Sequence, residues 1–301
     1  MKNKTKDNLQ FIILSLPAII LLFMFSYLPM GGIIIAFKNF RVDLGIFNSP
    51  WVGLKNFKFF FTSSDAWRSV RNTLGMNLLF IVFGTVFAIA FALLMYHIRS
   101  RTMIKTYQTI AILPSFLSWV VIGYMAYALL KPQGGLINQI LLFLGIDPVQ
   151  WYSEASNWPA ITLITFLWFS IGNSSLFYFA SLMGIEKDYF EAAALDGATK
   201  WQEIKYIIIP FLMPIVTIMT ILSIGRIFRS DFGLFFIIPR NIGMLYPATD
   251  VIDTYVYRAL IQIGDVGMSA AVGFFQSIVG FVLILGTNLI VRKVEPDQAL
   301  F

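Results

Sequence analysis

Long apolar runs alternate along the chain with shorter polar stretches, and six of the runs are long enough to cross a bilayer as helices. A spanning helix needs about 20 mainly apolar residues. The runs occupy 11–37, 74–96, 107–130, 160–183, 207–228 and 270–291. They predict an all-α, polytopic integral membrane protein with about six transmembrane helices. Pro17, Pro29, Pro114, Pro210 and Pro214 fall within or at the ends of these runs. Kinks are expected there, where neighbouring helices can satisfy the freed carbonyls.

The polar connections differ in character. Residues 38–73 carry an aromatic patch of Trp51, Phe57, Phe59, Phe60, Phe61 and Trp67. Two readings fit it equally: an amphipathic helix on the bilayer surface, or a loop packing its aromatics on the bundle. Residues 131–159 hold Gly134, Gly135, Pro148, Trp151, Trp158 and Pro159, a turn-rich cap. Residues 229–269 are long enough to fold back towards the bundle. No internal repeat or low-complexity run is visible.

The polar stretch with the clearest internal grammar is 186–214, EKDYFEAAALDGATKWQEIKYIIIPFLMP. Asp188, with Glu191 three residues on, has the spacing of a capping box at a helix start. Gly197 is suited to end that helix, since the position after a helix often needs φ > 0. Thr199 with Gln202 repeats the capping-box spacing. The stretch predicts helix, glycine turn, helix, with the second helix running on into the fifth apolar run. Ala192, Ala193 and Ala194 give the first helix a shallow surface that another backbone can approach.

Composition strengthens the membrane reading. Apolar residues make up 58% of the chain and charged residues 13%, about half the charged share of soluble domains, ~25%, and the mean hydropathy is +0.76. The absence of Cys excludes disulfides and thiolate metal sites, and one His excludes multi-histidine zinc motifs. The net charge of +6 does not call for nucleic acid, because the basic residues sit between apolar runs. The start of the chain pairs a basic segment with an apolar run too long for a signal peptide, so it is read as an uncleaved first transmembrane helix. With the N-terminus inside, the 22 Lys and Arg residues divide evenly between inner and outer segments. The inner segments are shorter, so their basic density is higher, which favours both termini inside.

Several chemistries are missing. No G-x-x-x-x-G-K-[ST] phosphate loop and no G-x-S-x-G motif occurs, so no ATP hydrolysis by this chain is expected. No carboxylate cluster lies inside a run, which argues against proton-coupled transport. The polar residues within runs are uncharged: Asn77, Asn173, Ser174, Ser175, Gln276 and Asn288. Of these, Asn77, Asn173, Ser174 and Gln276, with the aromatics Trp119, Trp168 and Phe228 and with Asp231 just beyond the fifth run, form a candidate pathway for a neutral or hydroxyl-rich solute. Aromatic faces stack on sugar C–H surfaces and amides pair with hydroxyls. For any single one of these residues, tying helices together is the commoner role.

At 186–214 a family pattern can be matched. Glu191, Ala192, Ala193, Gly197, Ile207 and Pro210 stand at the offsets of the EAA motif of type I ABC importer permeases, with Asp196 and Ala198 flanking the glycine. Ile209 stands where the family usually has Leu, an exchange that keeps apolar volume. Asn72-Thr73-Leu74, Leu113-Pro114, the run YPATDVIDTYVYR and the tail AAVGFFQSIVGFVLILGTNLIVRK resemble the oligosaccharide and polysaccharide permease branch more loosely.

The resemblance implies a type I ABC importer permease fold, with a coupling element at 186–210 between the fourth and fifth helices of a 74–291 core. Around the core it implies a cytoplasmic N-terminus at 1–10, a first helix at 11–37, an outer loop at 38–73 and a cytoplasmic tail at 292–301. It also implies a second homologous permease subunit, two ABC subunits that bind ATP and Mg, an extracytoplasmic solute-binding protein and a sugar substrate, in the lipid of a bacterial cytoplasmic membrane. No cofactor is expected on this chain. Glu191, Ala192, Ala193, Asp196, Gly197, Ala198, Ile207 and Pro210 would couple it to the ATPases. A polytopic enzyme acting on lipid-linked sugars, or a secondary transporter without ATP, are the alternatives. The EAA spacing has no role in either.

Overall fold

The computed structural model describes residues 2–294 and 296–298, and the side chains of 2–10, 59–61, 294 and 297 lie outside the description. Lys2, Lys4 and Lys6, the aromatic residues Phe59, Phe60 and Phe61, and the end of the 292–301 tail therefore lie partly or wholly outside it. The described residues are almost entirely helical. Their one extended pairing is a bridge between Lys38 and Trp51. The chain divides into two compact units, one made of residues up to Ser63 with Val256–Ser277, the other of Ser64–Tyr255 with the chain from Ile278 onward.

In the first unit, α1 (Phe11–Phe37) is a candidate span that buries none of its most apolar window within the chain. It passes through a π-helical turn at Phe23–Tyr27 into a 3₁₀ segment at Leu28–Phe37. Pro17 and Pro29 are accommodated along this path. After it, α2 (Lys55–Thr62) sets Phe57 against Phe37 and Phe274, while Trp51 stacks on Phe37 at 5.7 Å. Among the described members of the aromatic patch, Phe57 thus packs inward, whereas Trp51 and Trp67 stay largely exposed. Asn56 ties the turn by donating to the carbonyls of Ala36 and Lys38. Lys38 is buried, with its ammonium donating to the carbonyls of Ile46 and Phe47.

In the second unit, α3 (Ser64–Tyr96) is the central helix. Its buried residues, Ala66, Ser69, Thr73, Met76, Phe80, Ala88, Ala92 and Met95, are spaced by three or four positions, or by eight between Phe80 and Ala88, and form one stripe. The stripe is rich in small residues, whereas Leu78, Val82, Val86 and Leu94 on the other faces are large and exposed. This is how helices pack in lipid, where large apolar side chains gain nothing by turning inward. Helix α7 (Trp158–Met183) and α9 (Lys200–Gly225) lie against this stripe. Tyr178, Leu182, Ile208 and Leu212 close over Ala88 and Ala92 at one end, and a second cluster around Met76, Phe80, Trp158 and Phe235 fills the other.

The third predicted span is not one straight helix. α4 (Arg101–Ile112) continues as a 3₁₀ turn to Phe116, and α5 (Trp119–Leu130) then leaves at 98°. Pro114 lies in the turn, Leu117 is extended, and Ser118 caps α5 by accepting from the Val121 amide. Together these residues make a break rather than a kink. Gly172 of α7 sits directly under the Ala111 carbonyl of α4, where a Cβ would collide with the backbone. Within the 131–159 cap, α6 (Leu136–Phe143) carries Asn138, which binds the Pro132 and Val149 carbonyls and accepts from the Trp151 indole.

Beyond α9 the chain as far as Tyr255 folds back into the same unit, whereas the rest of the 229–269 stretch belongs to the first unit. Asp231 caps the short helical turn α10 (Gly233–Ile237) by accepting from the Gly233 and Leu234 amides. The fully buried Asp250 carboxylate takes Arg68 of α3 at 3.1 Å and the Thr254 hydroxyl, and Asn72 donates to the Asp250 carbonyl. The last helix, α11 (Val266–Val294), starts under an Asp265 cap and meets α9 where Gly280 abuts Gly225.

Candidate docking stretch and central cleft

The 186–214 stretch folds as helix, turn and helix. The first helix, α8, is Lys187–Leu195. Its start differs from the expected capping box. Glu186 occupies the cap without a side-chain bond, and Asp188 lies inside the first turn. A carboxylate there still favours the positive end of the helix dipole. Gly197 has φ +75°, and the amides of Gly197 and Ala198 return to the carbonyls of Ala194 and Ala193. This pair of bonds is a Schellman closure, which needs a left-handed residue at the glycine position. Thr199 and Gln202 form the expected capping box, with the Thr199 amide donating to Oε1 of Gln202 at 2.7 Å.

From Lys200 the helix continues without interruption through a π-helical turn to Gly225. Ile207 packs at the edge of the cluster around Ala88 and Ala92, whereas Pro210 at the start of the regular α segment is exposed. A groove of about 370 Å³ lies between α8 and the end of α3, with Tyr96, Lys187, Glu191, Ala194 and Glu203 on its walls. Glu203 is buried and held by Lys200 at 2.7 Å. Around the groove, Ala192 and Glu191 are exposed, Ala193 is half-buried, and Leu195 and Trp201 project with 90% and 69% of their surface free.

The second feature is a cleft of about 280 Å³ among α3, α7 and α9. Phe166, Ser170, Ser174 and Phe177 form one row of α7 along it. Asn77, Phe80 and Thr85 line it from α3, and Met219 and Ser223 from α9, with Arg226 and Arg229 just beyond. Phe80 and Phe166 stack at 4.0 Å, and the Thr85 and Tyr178 side chains share a hydrogen bond. The Asn77 amide donates to the carbonyls of Ile227 and Arg229, which fixes the chain where α9 ends.

Comparison with known proteins agrees with this architecture. No protein-family profile matches the chain. Protein LplB of Bacillus subtilis is 30% identical over 95% of this chain and 89% of its own length. The polygalacturonan/rhamnogalacturonan transport system permease protein YteP of the same organism is 31% identical over 92% and 86%. A bacterial ABC transporter involved in the import of the acidic polysaccharide alginate has a chain that superposes with a TM-score of 0.87. That chain is 31% identical to this one, with 98% of each covered.

The chain belongs to the ABC transporter permeases.

A further structure of the alginate transporter, in complex with an alginate pentasaccharide-bound periplasmic protein, matches this permease with a TM-score of 0.86 at 30% identity. Of the candidate pathway residues, the permease brings Asn77 and Ser174 to the cleft. The others take different places. Trp119 stacks on Phe169 at 4.4 Å and packs against Gly233, which pins the start of α5. Trp168 and Asn173 are exposed outside the lining, Phe228 is half-buried beyond α9, Asp231 is a helix cap, and Gln276 is buried in the first unit. Sequence reasoning passed over Ser170, Phe166, Phe177 and Thr85. The four-residue spacing of Ser170 and Ser174 in an apolar run was the available signal.

Proposed function

We propose that this permease forms one half of the transmembrane path of an ATP-driven importer that carries an oligosaccharide or polysaccharide fragment across the cytoplasmic membrane. A homologous permease subunit completes the path. Two ATPase subunits, which hold ATP and Mg, dock on the 186–210 element, and a solute-binding protein delivers the sugar at the other side. Both termini and the 186–210 element face the ATPases, with 38–73 outside and 292–301 inside.

One observation carries this reading: α9 is continuous from the capping box at Thr199 to Gly225, with Met219 and Ser223 in the cleft wall. A push on α8 is passed through the rigid Schellman and capping-box turn into a helix that borders the path. Exposed Leu195 and Trp201 beside Glu191 and Ala192 offer an apolar contact edged by a carboxylate, the composition of a docking patch. A carboxylate such as Glu191 accepts charge-assisted hydrogen bonds from a partner's Arg or Lys. Rigid movement of such elements switches access between the two sides.

Gly197→Asp tests it. The variant places a side chain at φ +75°, where glycine is favoured, and an anion at the proposed docking surface. The expected outcome is loss of uptake and of solute-stimulated ATPase activity, with a normal amount of protein in the membrane. Wild-type uptake would remove the coupling role.

A further inference from the structure

Two helices of the second unit end in the same closure with different residues at its left-handed position. At α8 that residue is Gly197. Beyond α10 the Arg240 amide returns to the Ile237 carbonyl and the Asn241 amide to the Phe236 carbonyl, again a Schellman closure. Here the left-handed residue is Arg240, at φ +59°, and Asn241 follows at +51°. Glycine adopts this conformation without the steric cost that a side chain meets. A costly conformation persists where the surroundings impose it, and such residues cluster at sites that use their side chains. The surroundings impose this one. The Tyr152 hydroxyl donates to the Ile238 carbonyl, the Tyr246 hydroxyl donates to Oδ1 of Asn241 at 3.0 Å, and a Cβ on Gly123 would stand 2.9 Å from the Ile237 side chain.

Arg240 itself is exposed. Its guanidinium lies over the Tyr127 ring at 4.2 Å and enters no ion pair among the described residues. Beside it is a cavity of about 310 Å³ with no acid in its lining. Tyr124, which is 69% exposed, and Asn241 stand on its walls. The rest of the wall, Val120, Gly123, Phe236 and Ile237, brings no side-chain hydrogen-bonding group. Such a lining leaves most sugar hydroxyls unpaired, unlike the serine-lined central cleft. It suits a protein side chain. Exposed Tyr and Arg against apolar walls are the residues that most often anchor a protein contact, and the planar guanidinium fork matches a carboxylate. The turn belongs to the cluster around Trp158, at the opposite end of α3 from the cluster that carries the 186–214 stretch.

We propose that the Arg240 turn is a docking point for the solute-binding protein, which sets an Asp or Glu side chain on the guanidinium and an apolar neighbour against Tyr124 and Phe236. This rests on the reading of the chain as an importer permease and names the surface at which that partner meets it. A charged anchor at an exposed rim suits a contact that forms and dissolves in each transport cycle.

The test follows ATPase activity of the assembled importer in lipid nanodiscs as its solute-loaded binding protein is added. Arg240→Gly removes the guanidinium and installs the residue that the backbone favours, so the thermal midpoint is expected to stay at or above that of wild type. The half-maximal binding-protein concentration should rise about tenfold with the maximal rate unchanged. Arg240→Lys, which keeps the charge and loses the fork, should fall between. Added salt should weaken docking more in wild type than in Arg240→Gly. An unchanged half-maximal concentration in Arg240→Gly overturns the inference and leaves the importer reading intact. So does loss of the second permease subunit from the purified variant, which would assign the turn to that contact. Wild-type importer that no solute-loaded binding protein stimulates would remove the importer reading itself, and the inference with it.

Discussion

Asn77 shows what a polar side chain inside a span does in this permease. Its amide nitrogen is engaged by two carbonyls just beyond the end of α9, so it holds the cleft wall rather than reaching freely for solute. Asp231, another candidate for solute contact, caps α10. Asn77 is thus legible as important from sequence, but its role depends on a partner 150 positions away. Tyr152 makes the same point outside the spans. Its ring lies between Tyr127 and Trp158, and its hydroxyl donates to the Ile238 carbonyl. Burial pushes its pKa up to about 12, against a lowering by Arg240. A pKa raised in the folded state adds stability that is complete below the unfolded value of about 10 and is lost as pH rises through about 12. Between those limits the detergent-solubilised permease should lose thermal stability with rising pH, and Tyr152→Phe should flatten that slope. An unchanged slope in the variant would show that Tyr152 does not contribute to it.

At the scale of elements, local grammar was well written. Gly197, Thr199 and Gln202 take the conformations their spacing predicts, because a left-handed turn and an i to i+3 cap involve only neighbours. The Asp188 cap was misplaced by two residues because a carboxylate is favoured both at a cap and in the first turn. The break between α4 and α5 was legible as Pro114 and illegible as an angle. Trp119 is clamped by Phe169 and Gly233, contacts that no local rule encodes. Helix crossings likewise depend on glycines whose neighbours are distant. A Cβ at Gly280 would stand 2.6 Å from the Gly225 carbonyl oxygen, whereas one at Gly286 meets nothing within 4 Å. Gly280→Ala should therefore lower the thermal midpoint of the solubilised permease. Gly286→Ala, in open space on the same helix, should be neutral or stabilising by about 0.5–1 kcal/mol. Equal effects would show that the α9–α11 approach does not limit stability.

At the scale of the whole molecule, the proposed orientation puts Leu195 and Met244 on opposite sides of the membrane. Both side chains are well exposed, and the chain contains no cysteine that would compete for a thiol reagent. Met244→Cys should react with a membrane-impermeant maleimide in intact cells. Leu195→Cys should react only after permeabilisation. The reverse pattern would invert the topology and remove the docking stretch from the ATPases.

By itself the sequence determined the class of the protein, the approximate spans and the helix–turn–helix at 186–214. Each follows from composition, run length or spacing among near neighbours, and lipid allows few backbone solutions beyond the helix. Only the tertiary structure decided which face of each span turns inward. In lipid the exposed face is as apolar as the buried one, so periodicity carries little of that information. The cleft follows the same logic. Ser170, Ser174, Ser223 and Phe80 come from three helices far apart in the chain, and packing alone makes them one wall.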